Sequence, residues 1–157
     1  MCGIVGGVSP RVLAVDAGIR SLNHRGPDDQ GVWREGATQL GFARLSIIDL
    51  TASGHQPMLS PDGRYVIVFN GEIYNFPALR EELEQAGEAF AGHSDTEVLL
   101  RLFARLGLER CLARLRGMFA FAVWDRQEQR LSLARDRLGV KPLVYAQTGG
   151  DFLFGSE

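Results

Sequence analysis

Apolar positions along this chain follow two rhythms, and these sort it into strands and helices before any residue suggests chemistry. Gly3 to Val8 is a short apolar run closed by Ser9-Pro10, which predicts a strand. Val12 to Leu22 carries apolar residues at 12, 13, 15, 19 and 22, close to helical spacing, and predicts a helix laid against a sheet. Val32 to Arg34 and Gln39 to Arg44 read as two strands joined at Glu35-Gly36, and Leu45 to Leu50 as an extended segment. Arg64 to Phe69, β-branched and aromatic, is the clearest strand and runs straight into Asn70-Gly71-Glu72. Two helices follow. One opens at Asn75 or Phe76, with Pro77 tolerated in its first turn and Gly87 as its stop. The other opens at Ser94-Asp95-Thr96-Glu97, where Ser94 and Glu97 have capping-box spacing. After a short helix over Leu108 to Leu115, Gly117 to Trp124 is almost continuously apolar and should be buried on both faces. Leu131 to Arg135 is its partner strand, and a last hairpin joins Leu143–Ala146 to Phe152–Gly155.

Hairpin-spaced strands with grouped helices predict antiparallel sheets layered with helices, an α+β fold. No repeat or linker divides residues 1–157, so they read as one domain. The chain stops directly after a strand, which reads as the boundary of a truncated domain and predicts an unpaired strand edge.

Composition narrows the function. With 157 residues and 45% hydrophobic content the chain can bury a substantial core. A net charge of -2 and the absence of a basic run argue against nucleic-acid binding. No membrane-length apolar run or signal-peptide pattern is present, so a cytoplasmic protein is expected. Two cysteines, Cys2 and Cys111, make no disulfide framework, and His24, His55 and His93 lack metal-ligand spacing. The histidines read as loop residues without a partner that would make one a base, and Cys111 as core packing.

Cys2 is the exception. Methionine aminopeptidases remove Met before small residues, so the mature chain can begin with Cys2, a thiol and a free α-amine on one residue. The reference pKa values, about 8.5 for the thiol and about 7.7–8.0 for the amine, make proton exchange between them nearly isoenergetic. Such a residue is a nucleophile that carries its own base; the alternative is a cysteine that merely starts a strand. Asn70-Gly71 can supply a carboxamide and a backbone N–H as oxyanion donors, or it can be a hairpin turn. Arg44 and Asp95 can clamp the carboxylate and ammonium of an amino acid, or be a surface ion pair and a helix cap. Asp136 and Lys141, flanking Gly139, read as an electrostatic lock on a loop.

Seven motifs occur in order: Met1-Cys-Gly-Ile-Val-Gly6, His24-Arg-Gly-Pro-Asp28, Ala43-Arg-Leu-Ser-Ile-Ile-Asp49, Phe69-Asn-Gly-Glu-Ile-Tyr-Asn75, Ser94-Asp-Thr-Glu97, Gly117-Met-Phe-Ala-Phe121 and Arg135-Asp-Arg-Leu-Gly-Val-Lys-Pro142. Together they resemble the N-terminal glutaminase domain of glutamine-hydrolysing asparagine synthetases, among the class II glutamine amidotransferases of the N-terminal-nucleophile hydrolases. The resemblance covers essentially the whole chain. It implies a four-layer α-β-β-α sandwich, here expected to lack its last strands. It further implies that Cys2 attacks the glutamine side-chain amide, that Asn70 and Gly71 hold the oxyanion, and that Arg44 binds the substrate carboxylate. Asp95 and Glu72 would bind its ammonium, and Leu45, Ser46, Ile47 and Ile48 would line the pocket.

Glutamine is the implied ligand, and the ammonia would feed ATP-dependent asparagine synthesis in a synthetase domain normally fused C-terminally. No cofactor is expected in this domain; ATP and Mg belong to that absent region. A homodimer is left open. Two rivals remain: a module that binds glutamine or a partner without turnover, and a domain serving a different acceptor, as in relatives that amidate other molecules or have lost Cys2 and make β-lactams.

Overall fold

In the computed structural model, which describes residues 1–46 and 52–157, two antiparallel sheets stack between helices. Chain order is β1 (Gly3–Val8), α1 (Val15–Ser21), β2 (Asp29–Glu35), β3 (Thr38–Arg44), a 3-10 turn at Ala52–Gly54, β4 (Met58–Leu59), β5 (Tyr65–Ile73), α2 (Phe76–Gln85), α3 (Asp95–Leu106), α4 (Leu108–Arg114), β6 (Gly117–Asp125), β7 (Arg130–Arg135), β8 (Val144–Thr148) and β9 (Asp151–Gly155). The first sheet has the order β2-β3-β1-β9-β8 and the second β4-β5-β6-β7.

Period-2 alternation divides the core into layers. Phe119, Phe121 and Val123 of β6, with Ile67, Phe69 and Ile73 of β5, pack against the leucines of α2 and α3. Their alternates, Ala120, Ala122 and Trp124 with Val66 and Val68, face Ile4, Leu40, Phe42 and Phe154 of the first sheet. The outer face of the first sheet is covered by Val15, Ile19 and Leu22 of α1 and its flank. The layers are therefore α1, first sheet, second sheet, α2–α4: the α-β-β-α sandwich expected. Burial of β6 on both faces follows from its place between the helix layer and the other sheet.

Some boundaries differ from expectation. The first helix begins at Val15 rather than Val12, which is 90% exposed. Residues 9–11 are held elsewhere: Ser9 Oγ donates to Asp151 Oδ1 at 2.6 Å, and Arg11 pairs with the same carboxylate at 2.8 Å. The last strand is not an unpaired edge. β9 lies between β1 and β8, and Ser156 ties it down by donating its N–H to Ile4 O. The free edges of this sheet are β2 and β8, and every β8 residue is exposed. The capping box is realised on one side, with Ser94 Oγ accepting from Glu97 N at 3.2 Å. The Glu97 carboxylate turns instead to the N–H groups of Ala91 and Gly92. Cys111 is fully buried among apolar side chains, as read from sequence, and burial pushes its thiol up to about 12. Among the described residues, no helix is long and apolar enough to cross a membrane.

Candidate active site

Strand alternation assembles the site. Ile4 of β1 faces the inter-sheet core, so Cys2, two residues earlier, points the same way from the strand's N-terminal end. Leu40 and Phe42 of β3 face that core as well, which turns Arg44 inward. Gly3 pairs with Ala43, so the antiparallel register brings Cys2 alongside Arg44. On the opposite sheet Val66 and Val68 face the same space, and so by alternation do Asn70 and Glu72. All four, with Gly71 and Asp95, line one cavity of about 100 Å³.

The hairpin reading of Asn70-Gly71 is excluded. Both sit inside β5, opposite Ala120 and Phe119 of β6. Asn70 is 1% exposed, and its Nδ2 makes no hydrogen bond among the described residues. A buried, unsatisfied donor is uncommon and expensive; here it lies in the wall of a cavity that also holds a thiol. Peptide N–H groups alternate sides along a strand, so those of Phe69, Gly71 and Ile73 share one side of β5. Phe69 N donates to Gln56 Oε1 at 2.6 Å and Ile73 N to Asp95 Oδ2 at 3.0 Å; the Gly71 N–H lies between them. Residue 71 must be glycine for a separate reason: a Cβ there would come within 2.4 Å of Met118 O.

Cys2 Sγ sits at the backbone of Leu45, 3.4 Å from its N and 3.6 Å from its O. Burial raises the thiol's pKa, while the Leu45 N–H, the chain's amine, Arg44 and Lys141 all pull it back. Asp95 opens α3 directly after its Ser94 cap and is 4% exposed. Burial, with help from Glu72, lifts its carboxyl to about 6 against the N–H bonds of Ile73 and Thr96.

Cys2, Arg44, Leu45, Asn70, Gly71, Glu72 and Asp95 thus come together at one cavity. Ser46 is anchored beside it, donating its N–H to Asp28 Oδ2 at 2.7 Å. Ile47 and Ile48 lie outside the described residues. The structure adds two residues that the sequence reading gave no role, Gln56 and Arg25, and moves a third, Lys141, to the cavity. Gln56, 3% exposed, links β5 to α3 through Phe69 N and Thr96 Oγ1. Arg25 donates from Nε to Cys2 O at 3.2 Å; its place in the His-Arg-Gly-Pro-Asp motif was the available signal. Lys141 also lines the cavity, which corrects the loop-lock reading. The loop is held instead by Asp136, whose carboxylate accepts the N–H groups of Leu138, Val140, Lys141 and Phe119, and by Arg135, which donates to the carbonyls of Gly139 and Lys141. Burial opposes ionisation of Asp136, but the N–H bonds prevail and keep its carboxyl below the ordinary range.

The histidines depart from expectation in a smaller way. His55 Nδ1 lies 2.6 Å from Asp29 Oδ2, and His24 Nε2 lies 2.8 Å from Glu157. Neither histidine lines the cavity. No group of three His, Cys, Asp or Glu among the described residues could hold a metal ion.

Comparison with known proteins gives a consistent result. A family model described as a glutamine amidotransferase domain matches residues 1–157. Asparagine synthetase [glutamine-hydrolyzing] 3 of Bacillus subtilis is 45% identical over 165 residues, covering 100% of this chain and 26% of the relative. A putative glutamine-hydrolysing asparagine synthetase of Mycobacterium bovis is 48% identical over 147 residues, covering 87% of this chain and 22% of the relative. The chain therefore spans about a quarter of the length of these relatives. Among solved structures, a glutamine phosphoribosylpyrophosphate amidotransferase from B. subtilis superposes with a TM-score of 0.84 at 24% identity, over 99% of this chain and 42% of that one. At that identity the likeness speaks for the fold.

Proposed function

The chain belongs to the glutamine amidotransferase domain family, and from that premise we propose that it hydrolyses the side-chain amide of glutamine through a thioester on Cys2. The observation that carries the reading is the meeting of Cys2, Arg44, Asn70 and Asp95 at one cavity, with an unpaired Asn70 Nδ2 in its wall.

Removal of Met1 exposes the α-amine of Cys2, and because Met1 lines the cavity its loss also enlarges it. Arg44 holds the substrate's α-carboxylate, while Asp95 and Glu72 hold its α-ammonium. The amine takes the thiol proton as Sγ attacks the amide carbon. Asn70 Nδ2 and the Gly71 N–H receive the oxyanion, their positions fixed beforehand by β5 and its pairing with β6. The amine then gives its proton to the leaving nitrogen, which departs as ammonia and leaves a γ-glutamyl thioester. Water attacks that ester while the amine accepts its proton. Cleavage of the C–S bond releases glutamate and restores the thiol.

In the longer proteins named as asparagine synthetases the ammonia has an acceptor. By the same likeness, the full protein would use it in ATP-dependent formation of asparagine from aspartate. The test is release of glutamate and ammonia from glutamine by protein whose intact mass shows Cys2 as the first residue. Turnover that disappears in Cys2→Ala supports the proposal; equal turnover in the two proteins contradicts it.

A further inference from the structure

Lys141 stands in the cavity wall without a role in the chemistry above. It is 4% exposed, and a buried ammonium is costly unless it is paired or used. Among the described residues it makes no ion pair, and its Nζ has one hydrogen-bond partner, Met1 Sδ at 3.1 Å. A thioether is a weak acceptor, and it belongs to the residue whose removal creates the nucleophile. The backbone around Lys141 is rigidly set, because Asp136 accepts its N–H at 2.9 Å and Arg135 Nε donates to its carbonyl at 2.7 Å. The loop thus presents a cation at a fixed place beside the chain's first residues.

We propose that Lys141 is a positioning residue for the nucleophile: its ammonium keeps the α-amine of Cys2 neutral, ready to take the thiol proton, and stabilises the thiolate that forms as Sγ attacks. A nearby positive charge favours a thiolate and disfavours a second cation. Both effects favour attack, in which an uncharged amine takes the thiol proton and the sulfur becomes charged. Lys141 shares the cavity with Cys2 and is one of the cations that oppose burial there, burial still leaving the thiol above its ordinary value. Other charged groups facing Cys2 are Arg25 from the loop before β2, Arg44 from β3, Glu72 from β5, Asp95 from α3 and the chain's own amine. Arg25 and Arg44 are committed in other directions, one to the Cys2 carbonyl and the other, on the reading above, to substrate carboxylate. Lys141 is the cation with no such second duty among the described residues.

This inference rests on Cys2 being the nucleophile, and its test does not require turnover. Iodoacetamide alkylation of Cys2 in the processed chain, followed by peptide mass mapping across pH, reads the thiolate directly. Mapping separates Cys2 from Cys111, which is fully buried. In Lys141→Met the midpoint of alkylation should rise by about one pH unit, slowing the reaction at neutral pH roughly tenfold. Lys141→Arg, which keeps the charge, should hold the wild-type midpoint. If the chain turns over glutamine, the acidic limb of kcat/KM should move to higher pH in Lys141→Met as well, because the α-amine gains proton affinity. An unmoved alkylation midpoint in folded Lys141→Met overturns the proposal. Lys141→Gln serves if Lys141→Met does not fold, and failure of both to fold assigns Lys141 to the fold and overturns the proposal too. A shifted midpoint without glutamate release upholds the role of Lys141 and contradicts the glutaminase reading. Glutamate release with an unmoved midpoint does the reverse.

Discussion

The two walls of the cavity each hold an ionisable group raised by burial but surround it differently. On the first sheet the thiol of Cys2 is raised by burial and then pulled back by a backbone N–H, the chain's amine, Arg44 and Lys141. On the opposite wall the carboxyl of Asp95 is raised by burial too, but its charged neighbour is Glu72, a like charge that raises it further to about 6. On one wall cations oppose the effect of burial; on the other a neighbouring carboxylate adds to it. The difference gives the cavity a direction. On the proposed function, a zwitterionic amino acid would bind with its carboxylate toward Arg44 and its ammonium toward Asp95 and Glu72.

Breaking the first wall at its nucleophile should have the largest effect. Cys2→Ala should lower glutamate release by at least about a thousandfold with little change in the thermal midpoint, since the side chain is replaced by a smaller one at the chain's end. Next comes the oxyanion position. Asn70→Ala should reduce kcat by about a hundred- to a thousandfold and leave KM nearly unchanged, because an oxyanion donor acts in the transition state. On the second wall, Asp95→Asn should instead raise KM for glutamine by roughly tenfold to a hundredfold, the loss of a bond to a charged group.

The pH dependence sharpens the same contrast. Asp95 titrates at about 6 in the fold against an ordinary value of 3.8. The folded chain keeps that proton over a range in which the unfolded chain has lost it. The stabilisation from Asp95 is therefore complete below pH ~4 and is lost as pH rises through about 6, an effect of about 3 kcal/mol that denaturant melts of Asp95→Asn against wild type would read. For binding the sign is opposite: KM for glutamine should rise as pH falls through about 6 in wild type and stay flat in Asp95→Asn. The smallest effect belongs to Ser94, which caps α3 next to Asp95. Ser94→Ala should cost about 1 kcal/mol of stability with only a minor change in KM.

The strands of this fold were legible because their signal is local, apolar runs that β1, β5 and β6 carry in most residues, whereas the order of the layers came from the family resemblance. The residues of the site were legible singly, as a thiol at the chain's start, an Asn-Gly pair and a Ser-Asp-Thr-Glu opening to a helix. What no single stretch reveals is which of two roles each plays. Asn-Gly is turn chemistry in isolation, and only pairing of β5 with β6 through Ile73 and Gly117 keeps it in a strand. Gln56 lay in a Gly- and Pro-punctuated loop with no periodic pattern, yet its carboxamide ties β5 to α3. Asp136 and Lys141 were close in sequence and of opposite charge, which suggested a pair. Backbone N–H groups satisfy the aspartate and leave the lysine to the cavity, and only three-dimensional accounting of donors reveals that.

On the proposed function, turnover depends on the state of the chain's first residue, and that can be switched in one tube. A form carrying a protease-removable extension ahead of Cys2 has the thiol but no free α-amine. Glutamate release should be near background before cleavage and appear when mass spectrometry shows Cys2 as the new first residue. Equal release before and after cleavage would contradict the central claim that the thiol and the amine of Cys2 act together.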